Sequence, residues 1–218
     1  MDDKLILFIL SISNLIFVLT SRIPIQPYYD DISLLMEAVI IKMNFKTFKN
    51  EASRVYKNLK TIDGDMFFKG LSKNKNDWSR LYLKWFDEID PVGKQLCPES
   101  LNIIQTMPNI KIAMLSVLKP GTTIKSHKGP YRGCIRLHMG LMTPNSDECF
   151  INIDGKSYSW RDGEVLLLDD SYLHYVENNT DSYRVILFCD IIRPMNIVGD
   201  VVNELLMKYM AKYTHRYN

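Results

Sequence analysis

A chain of 218 residues, 46% apolar and 24% charged with a net charge of +2, is long enough to bury a sizeable core as one catalytic domain. So small a charge, carried by scattered lysines and arginines with no basic stripe, argues against nucleic acid as a partner. The four cysteines, Cys97, Cys134, Cys149 and Cys189, form no CxxC pair, which argues against a zinc site; they read as small buried apolar residues, with one or two disulfides open in an oxidising compartment.

The chain opens on an uncharged run, residues 5–21, between Lys4 and Arg22. Its length sits at the lower limit for a spanning helix, about 17 residues. Residues 1–22 are therefore expected to form a single-pass N-terminal membrane anchor. A cleaved signal leading to the secretory-pathway lumen, or a buried or peripheral helix, are the alternatives. Asn14 and three serines interrupt the run.

Residues 23–110 are expected to be a helical and mixed part packed on the core. Ile23-Pro24-Ile25-Gln26-Pro27 reads as a linker, because proline disfavours helix at and before itself. Residues 31–60 carry apolar side chains at three- and four-residue spacing (Leu34, Leu35, Ala38, Val39), the pattern of a helix. Trp78, Tyr82, Leu83 and Phe86 suit a short strand or helix against the core. Cys97-Pro98-Glu99-Ser100 reads as a helix start, with residues 101–107 as the helix and Pro108 as its stop.

From Ile112 the texture changes to short strands and turns. The expected strands are residues 112–118, 135–142, 149–153, 156–160, 164–168, 174–176 and 183–192, within a core spanning 111–195; a helix or tail at 196–218 closes the chain. Asp154-Gly155 between two short strands is a hairpin signal. Many short strands at close spacing predict a mainly β fold with flanking helices, a sandwich, barrel or jelly roll.

Three of the four histidines, His127, His138 and His174, fall in this zone, and His215 lies in the tail. Over residues 135–141 the alternation is strict: Ile135, Leu137, Met139 and Leu141 share one face, and Arg136, His138 and Gly140 share the other, toward water or a lined cavity. Arg184 stands in a strand that is apolar on both faces. A buried arginine needs an anion: a protein carboxylate such as Asp190, or a ligand dicarboxylate gripped by two parallel hydrogen bonds. His127, in the loop after Pro120-Gly121, and His174, at the start of a strand, are imidazoles that suit non-haem iron. The usual third ligand is a carboxylate two residues after the first histidine, and here that position is Gly129.

Taken in order, Leu118-Lys119-Pro120-Gly121-Thr122, His127-Lys128-Gly129-Pro130, the segment from Arg136 to Leu141, Trp160-Arg161-Asp162-Gly163-Glu164, Leu168-Asp169-Asp170-Ser171 with His174, Arg184, and Asp190-Ile191-Ile192-Arg193-Pro194 resemble the aspartyl/asparaginyl β-hydroxylase family of 2-oxoglutarate-dependent oxygenases. A weaker likeness begins near Trp78 and includes Cys97-Pro98. The resemblance implies a double-stranded β-helix, the cupin-like jelly roll. It implies Fe(II) on His127 and His174, with water in the place that Gly129 leaves open. It puts 2-oxoglutarate against Ser116, His138 and Arg184, the last holding its distal carboxylate. Asp170 would hold metal-bound water or cap its turn, and Arg136 would face the substrate. The reaction implied consumes O2 and 2-oxoglutarate and hydroxylates the β-carbon of an Asp or Asn side chain in a peptide or protein. The same family includes lipid acyl-chain hydroxylases, so lipid is the alternative substrate. A catalytically inactive cupin-like binding module is the reading from another class; a metal pair coexisting with Arg184 favours the enzyme.

Overall fold

The computed structural model describes residues 3–59, 70–72, 74 and 77–213. Helix α1 (Asp3–Thr20) is followed by the short strand β1 (Tyr28–Tyr29), a 3-10 turn at Ile32–Leu34, and helices α2 (Met36–Met43) and α3 (Phe45–Val55). The single helix expected over 31–60 is thus broken in two. Asn44 breaks it: at φ −98, ψ 16 it leaves the helical region, and its side chain donates back to the Ile40 carbonyl at 2.9 Å. The expected end at Lys60 lies outside the described residues, as does His215.

Strand β2 (Trp78–Trp85) leads to β3 (Glu88–Ile89), α4 (Pro91–Leu96) and α5 (Pro98–Gln105). Every residue of β2 is buried, so neither strand nor helix periodicity could be read there. Pro98 does open a helix, as its free choice of the first turn allows. The barrel strands follow: β4 (Ile110–Leu118), β5 (Thr122–His127), β6 (Cys134–Met142), β7 (Cys149–Ile153), β8 (Lys156–Ser159), β9 (Val165–Leu168), β10 (His174–Asn178) and β11 (Arg184–Ile192), then helix α6 (Ile197–Tyr213). The turn between β7 and β8 is the expected hairpin. Asp154 and Gly155 both take positive φ, 51° and 88°, which matches the strand twist.

From β4 the chain alternates between two sheets, with the β7–β8 hairpin as a single step in the smaller one. The larger runs β1-β9-β6-β11-β4-β2-β3 and the smaller β5-β10-β7-β8, all pairs antiparallel. This is the double-stranded β-helix. The pleat sorts the larger sheet's residues. Leu115, Leu137 and Leu187 face outward, where Ala38, Ile41, Phe48, Leu101 and Ile104 of the helices cover them. Leu118, Leu168 and Ile186 face inward and pack with Ile124, Ile151 and Trp160 across the barrel. Ser116, His138 and Arg184, in step with the inward set, are buried inside this apolar layer. All four cysteines are free, Cys97, Cys149 and Cys189 buried, and burial pushes the Cys97 thiol up to about 12.

No helix among the described residues is long and apolar enough to cross a membrane, which overturns the single-pass anchor expected over residues 1–22. The physical reason is that α1 is bound into the domain. Phe17 is fully buried and meets Tyr131 edge-on at 5.5 Å. Asn14 donates to the Pro130 carbonyl at 2.9 Å and accepts from the Arg132 N–H at 2.9 Å. The residue that interrupts the apolar run is the one that ties the helix to a barrel loop. Asn14→Ala is expected to cost about 1–3 kcal/mol, because two backbone groups lose their partner; a lowered urea midpoint at unchanged slope checks it, and no shift would mean that α1 does not hold this loop.

Candidate active site

Strand register gathers the site. In β11, Arg184, Ile186, Phe188 and Asp190 point into the barrel. Ser116 of β4 lies opposite Ile186; His138 and Arg136 of β6 lie opposite Phe188 and Asp190. Ser116, His127, Arg136, His138, His174 and Arg184 therefore line one cavity, with Trp78 in its wall. A larger cavity of about 320 Å³ opens beside Tyr28, Lys156 and Tyr158. It contains none of these groups.

At one end of the cavity the smaller sheet brings two imidazoles together. His127 ends β5 and His174 begins β10, paired across the strands with ring centroids 4.2 Å apart. His127 is thus a strand residue, where the sequence suggested a loop. Each ring is oriented by its own backbone: Nδ1 of His127 lies 2.7 Å from the Lys125 carbonyl, and Nδ1 of His174 lies 2.9 Å from the Tyr172 carbonyl. A carbonyl only accepts, so Nδ1 carries the proton in both and Nε2 presents a lone pair. Burial lowers both pKa values; His174 falls to about 4, helped by the neighbouring His127. Both rings are neutral at pH 7, the state that binds a metal. Among the described residues no group of three His, Cys, Asp or Glu side chains forms a metal site; the pair stands without a third protein ligand.

Gly129 shows why. A Cβ built there runs into the carboxyl group of Asp170. The space that a carboxylate at position 129 would use is filled by a carboxylate from another loop. That carboxylate is not free to move: Arg136 holds Asp170 at 2.7 Å through Nη1, and holds Asp190 at 2.8 and 3.0 Å through Nε and Nη2. Burial raises the Asp170 carboxyl to about 6, with Arg136 pulling the other way. Burial also works to lower the Arg136 pKa, but Asp170 and Asp190 carry it above its ordinary value. Arg136 lines the cavity as expected, yet its donors are taken by two carboxylates, which fits a positioning role better than a substrate contact. Gly129→Ala is expected to destabilise the chain by about 1–3 kcal/mol through overpacking, and Asp170→Ala should recover part of that in the double variant. Additive effects in urea melts would show that the two positions do not meet.

Next to Asp170, Asp169 is tied separately. Arg193, wholly buried, donates to Asp169 Oδ2 at 2.5 Å, to the Tyr29 hydroxyl at 3.2 Å and to the Arg132 carbonyl at 2.8 Å. The loop that carries His174 is therefore held by two arginines, one on each of two successive aspartates. The sequence reading quoted Asp169 and Arg193 within the segments that carry the resemblance but gave neither a role, because only the fold brings the two together.

Deeper in the barrel the polar groups lack partners. Both ring nitrogens of His138 and Nε of Arg184 are buried without a hydrogen bond. No acidic side chain among the described residues pairs with Arg184, and Asp190, one expected candidate, is engaged by Arg136. Instead the Arg184 guanidinium stacks 4.7 Å from the Trp160 ring. Burial lowers its pKa to about 10, so it stays charged at neutral pH. His138 is pushed well below its usual value by burial and by Arg184. Ser116 Oγ accepts the Trp78 indole N–H at 2.8 Å, which leaves its own proton to donate. Buried polar groups in folded proteins nearly always have partners, so this set has the donors to take an anionic ligand.

Residues 42–194 match the aspartyl/asparaginyl beta-hydroxylase family. The chain is 31% identical to the ornithine lipid ester-linked acyl 2-hydroxylase of Rhizobium tropici, over 84% of this chain and 61% of that protein. It is 29% identical to human aspartate beta-hydroxylase domain-containing protein 2, over 79% of this chain and 48% of that one. It is 28% identical to human aspartyl/asparaginyl beta-hydroxylase, over 56% and 17% respectively. The chain spans less than two thirds of each of these relatives. Among solved structures, a Pseudomonas putida prolyl-4-hydroxylase overlaps 85% of this chain and 99% of its own, with a TM-score of 0.48 and 11% identity.

Proposed function

The chain belongs to the aspartyl/asparaginyl beta-hydroxylase family, and from that premise we propose that it is a hydroxylase dependent on Fe(II), 2-oxoglutarate and O2. The observation that carries the reading is the coexistence, in one cavity, of a neutral imidazole pair and a buried arginine without an anion. The donors fit the groups: two Nε2 lone pairs suit a borderline metal such as Fe(II), and a guanidinium deep in an apolar shell suits a carboxylate.

When bound, iron with 2-oxoglutarate and O2 supplies the oxidation that converts a substrate C–H bond to C–OH, with succinate and CO2 as coproducts. The chain's own residues bind, orient and exclude water. His127 and His174 would hold the metal through Nε2. Arg184 would bind the distal carboxylate of 2-oxoglutarate, with its guanidinium oriented by the stack on Trp160. The Ser116 hydroxyl would donate to this cosubstrate from β4, and His138 would meet it from β6. Asp170, held by Arg136 against Gly129, would order water beside the metal.

Two substrate classes remain from the sequence: a peptidyl Asp or Asn side chain, and a lipid acyl chain. The lipid reading is favoured by an apolar helix face next to the loop that follows His127, described below, and by the 84% of this chain that aligns with an acyl hydroxylase. The test is succinate formation by the iron-loaded chain. Dispersed acyl lipids are expected to stimulate it in step with hydroxylated product, and Asp- or Asn-containing peptides are not. Stimulation by peptides alone would reverse the substrate assignment; no iron-dependent consumption of 2-oxoglutarate with either would end the hydroxylase reading.

A further inference from the structure

Helix α1 is apolar nearly all round, and part of that apolar surface is turned outward. Phe8, Ile12, Leu15 and Leu19 recur at four-, three- and four-residue spacing, which sets them on one face, and they are 62%, 46%, 59% and 74% exposed. Inward lie Phe17 and Ser13, both buried, and Asn14 grips the 130–132 loop. A helix that only covers a core turns polar residues to water, whereas α1 turns these four large apolar side chains there as well.

Helix α6 continues the surface. The two helices meet where Gly199 lets the Thr20 side chain approach; a Cβ at 199 would strike the Thr20 hydroxyl. The turns of α6 on either side expose Ile197, Val198, Val201 and Leu205. Single exposed apolar residues are ordinary, but a patch built by two adjoining helices marks an interaction surface.

Charge says what covers it. Arg22, exposed, follows α1, and Lys128, also exposed, precedes the segment that Asn14 holds, so two cations stand beside α1. Neither has a carboxylate partner among the described residues. On α6, Glu204 is taken up by Lys208 at 2.7 Å, which leaves Asp200 as that helix's one acidic residue without an ion pair among the described residues. An apolar stripe edged by cations is the pattern of a helix lying in the headgroup region of an anionic membrane.

We propose that the outward faces of α1 and α6 dock on the surface of an anionic lipid bilayer, with both helices in the plane of the interface and the loop after His127 turned to the lipid. The purpose of such docking rests on the lipid-substrate reading above; its geometry does not.

The full chain is sedimented with vesicles of phosphatidylcholine alone and of phosphatidylcholine mixed with phosphatidylglycerol. Binding to the mixed vesicles is expected, weakening as salt rises. Leu15→Glu/Leu19→Glu should lower it on the order of tenfold or more, and Arg22→Ala by about fivefold. Both variants should keep the wild-type urea midpoint and the optical signal of bound Fe(II) and 2-oxoglutarate. A chain that stays in the supernatant with both vesicles overturns the proposal. So does a dimer in light scattering that Leu15→Glu/Leu19→Glu dissolves, because the patch would then be an interface between copies. Loss of the optical signal in the wild type with vesicle binding intact would instead end the oxygenase reading and leave the docking standing.

Discussion

Arg184→Met abolishes 2-oxoglutarate binding at ordinary concentrations, weakening it by about two orders of magnitude or more, while the ligand-free chain loses no stability. The first half follows from the cost of removing one partner of a buried, hydrogen-bonded charge pair, about 2–5 kcal/mol, at about tenfold per 1.4 kcal/mol. The second half is the sharper one. Arg184 is 2% exposed, its Nε has no hydrogen bond, and no carboxylate among the described residues answers it. Without its ligand it is a desolvated cation whose penalty is offset only by the Trp160 stack. Methionine of similar reach removes that penalty and should leave the urea midpoint unchanged or raised. A structural ion pair predicts the reverse: a loss of about 3–5 kcal/mol from the stranded partner. The same two melts, with and without 2-oxoglutarate, therefore separate a ligand anchor from a core salt bridge.

His174→Ala abolishes stoichiometric Fe(II) binding, whereas His138→Ala keeps it and weakens 2-oxoglutarate binding. The two histidines are chemically alike but differently held. His174 has Nδ1 fixed by the Tyr172 carbonyl and stands 4.2 Å, ring to ring, from His127. His138 sits beside Trp160 and Phe188 with neither nitrogen bonded. With one imidazole gone, the remaining ring cannot chelate, and the chain offers no third side chain among the described residues to replace it. Iron content after anaerobic loading and desalting reads the difference. Retention of one iron by His174→Ala would move the metal site elsewhere.

How much of this was legible in the sequence depended on whether periodicity or register carried it. Strict alternation over 135–141 placed His138 and Arg136 on one face, and the structure puts both in the cavity. The doubly apolar strand around Arg184 announced a buried cation, and it is one. Strand β5 was missed because, as an outer strand of the smaller sheet, it buries only Thr122 and Ile124 between polar residues; its apolar pattern is too thin to see. The N-terminal run was misread for the opposite reason. Hydropathy sums the apolar residues without asking which face they occupy, and here one face is packed by Phe17 while another lies open at Leu15 and Leu19. The clamp of Arg136 on Asp170 and Asp190 joins residues from a strand, a loop and another strand. Only strand pairing brings those together, and the sequence does not print pairings. For the same reason the blank at Gly129 looked like a missing ligand, when its space is filled by Asp170.

The central claim is that one cavity binds Fe(II) and 2-oxoglutarate together. An anaerobic titration of the full chain with both, followed in the visible spectrum, tests it most directly. The claim predicts a weak charge-transfer band near about 500–530 nm, of the kind a chelating keto acid gives on iron, that saturates at one equivalent, vanishes in His174→Ala and requires far more 2-oxoglutarate in Arg184→Met. A correctly folded wild-type chain that gives no band and binds neither component would contradict it.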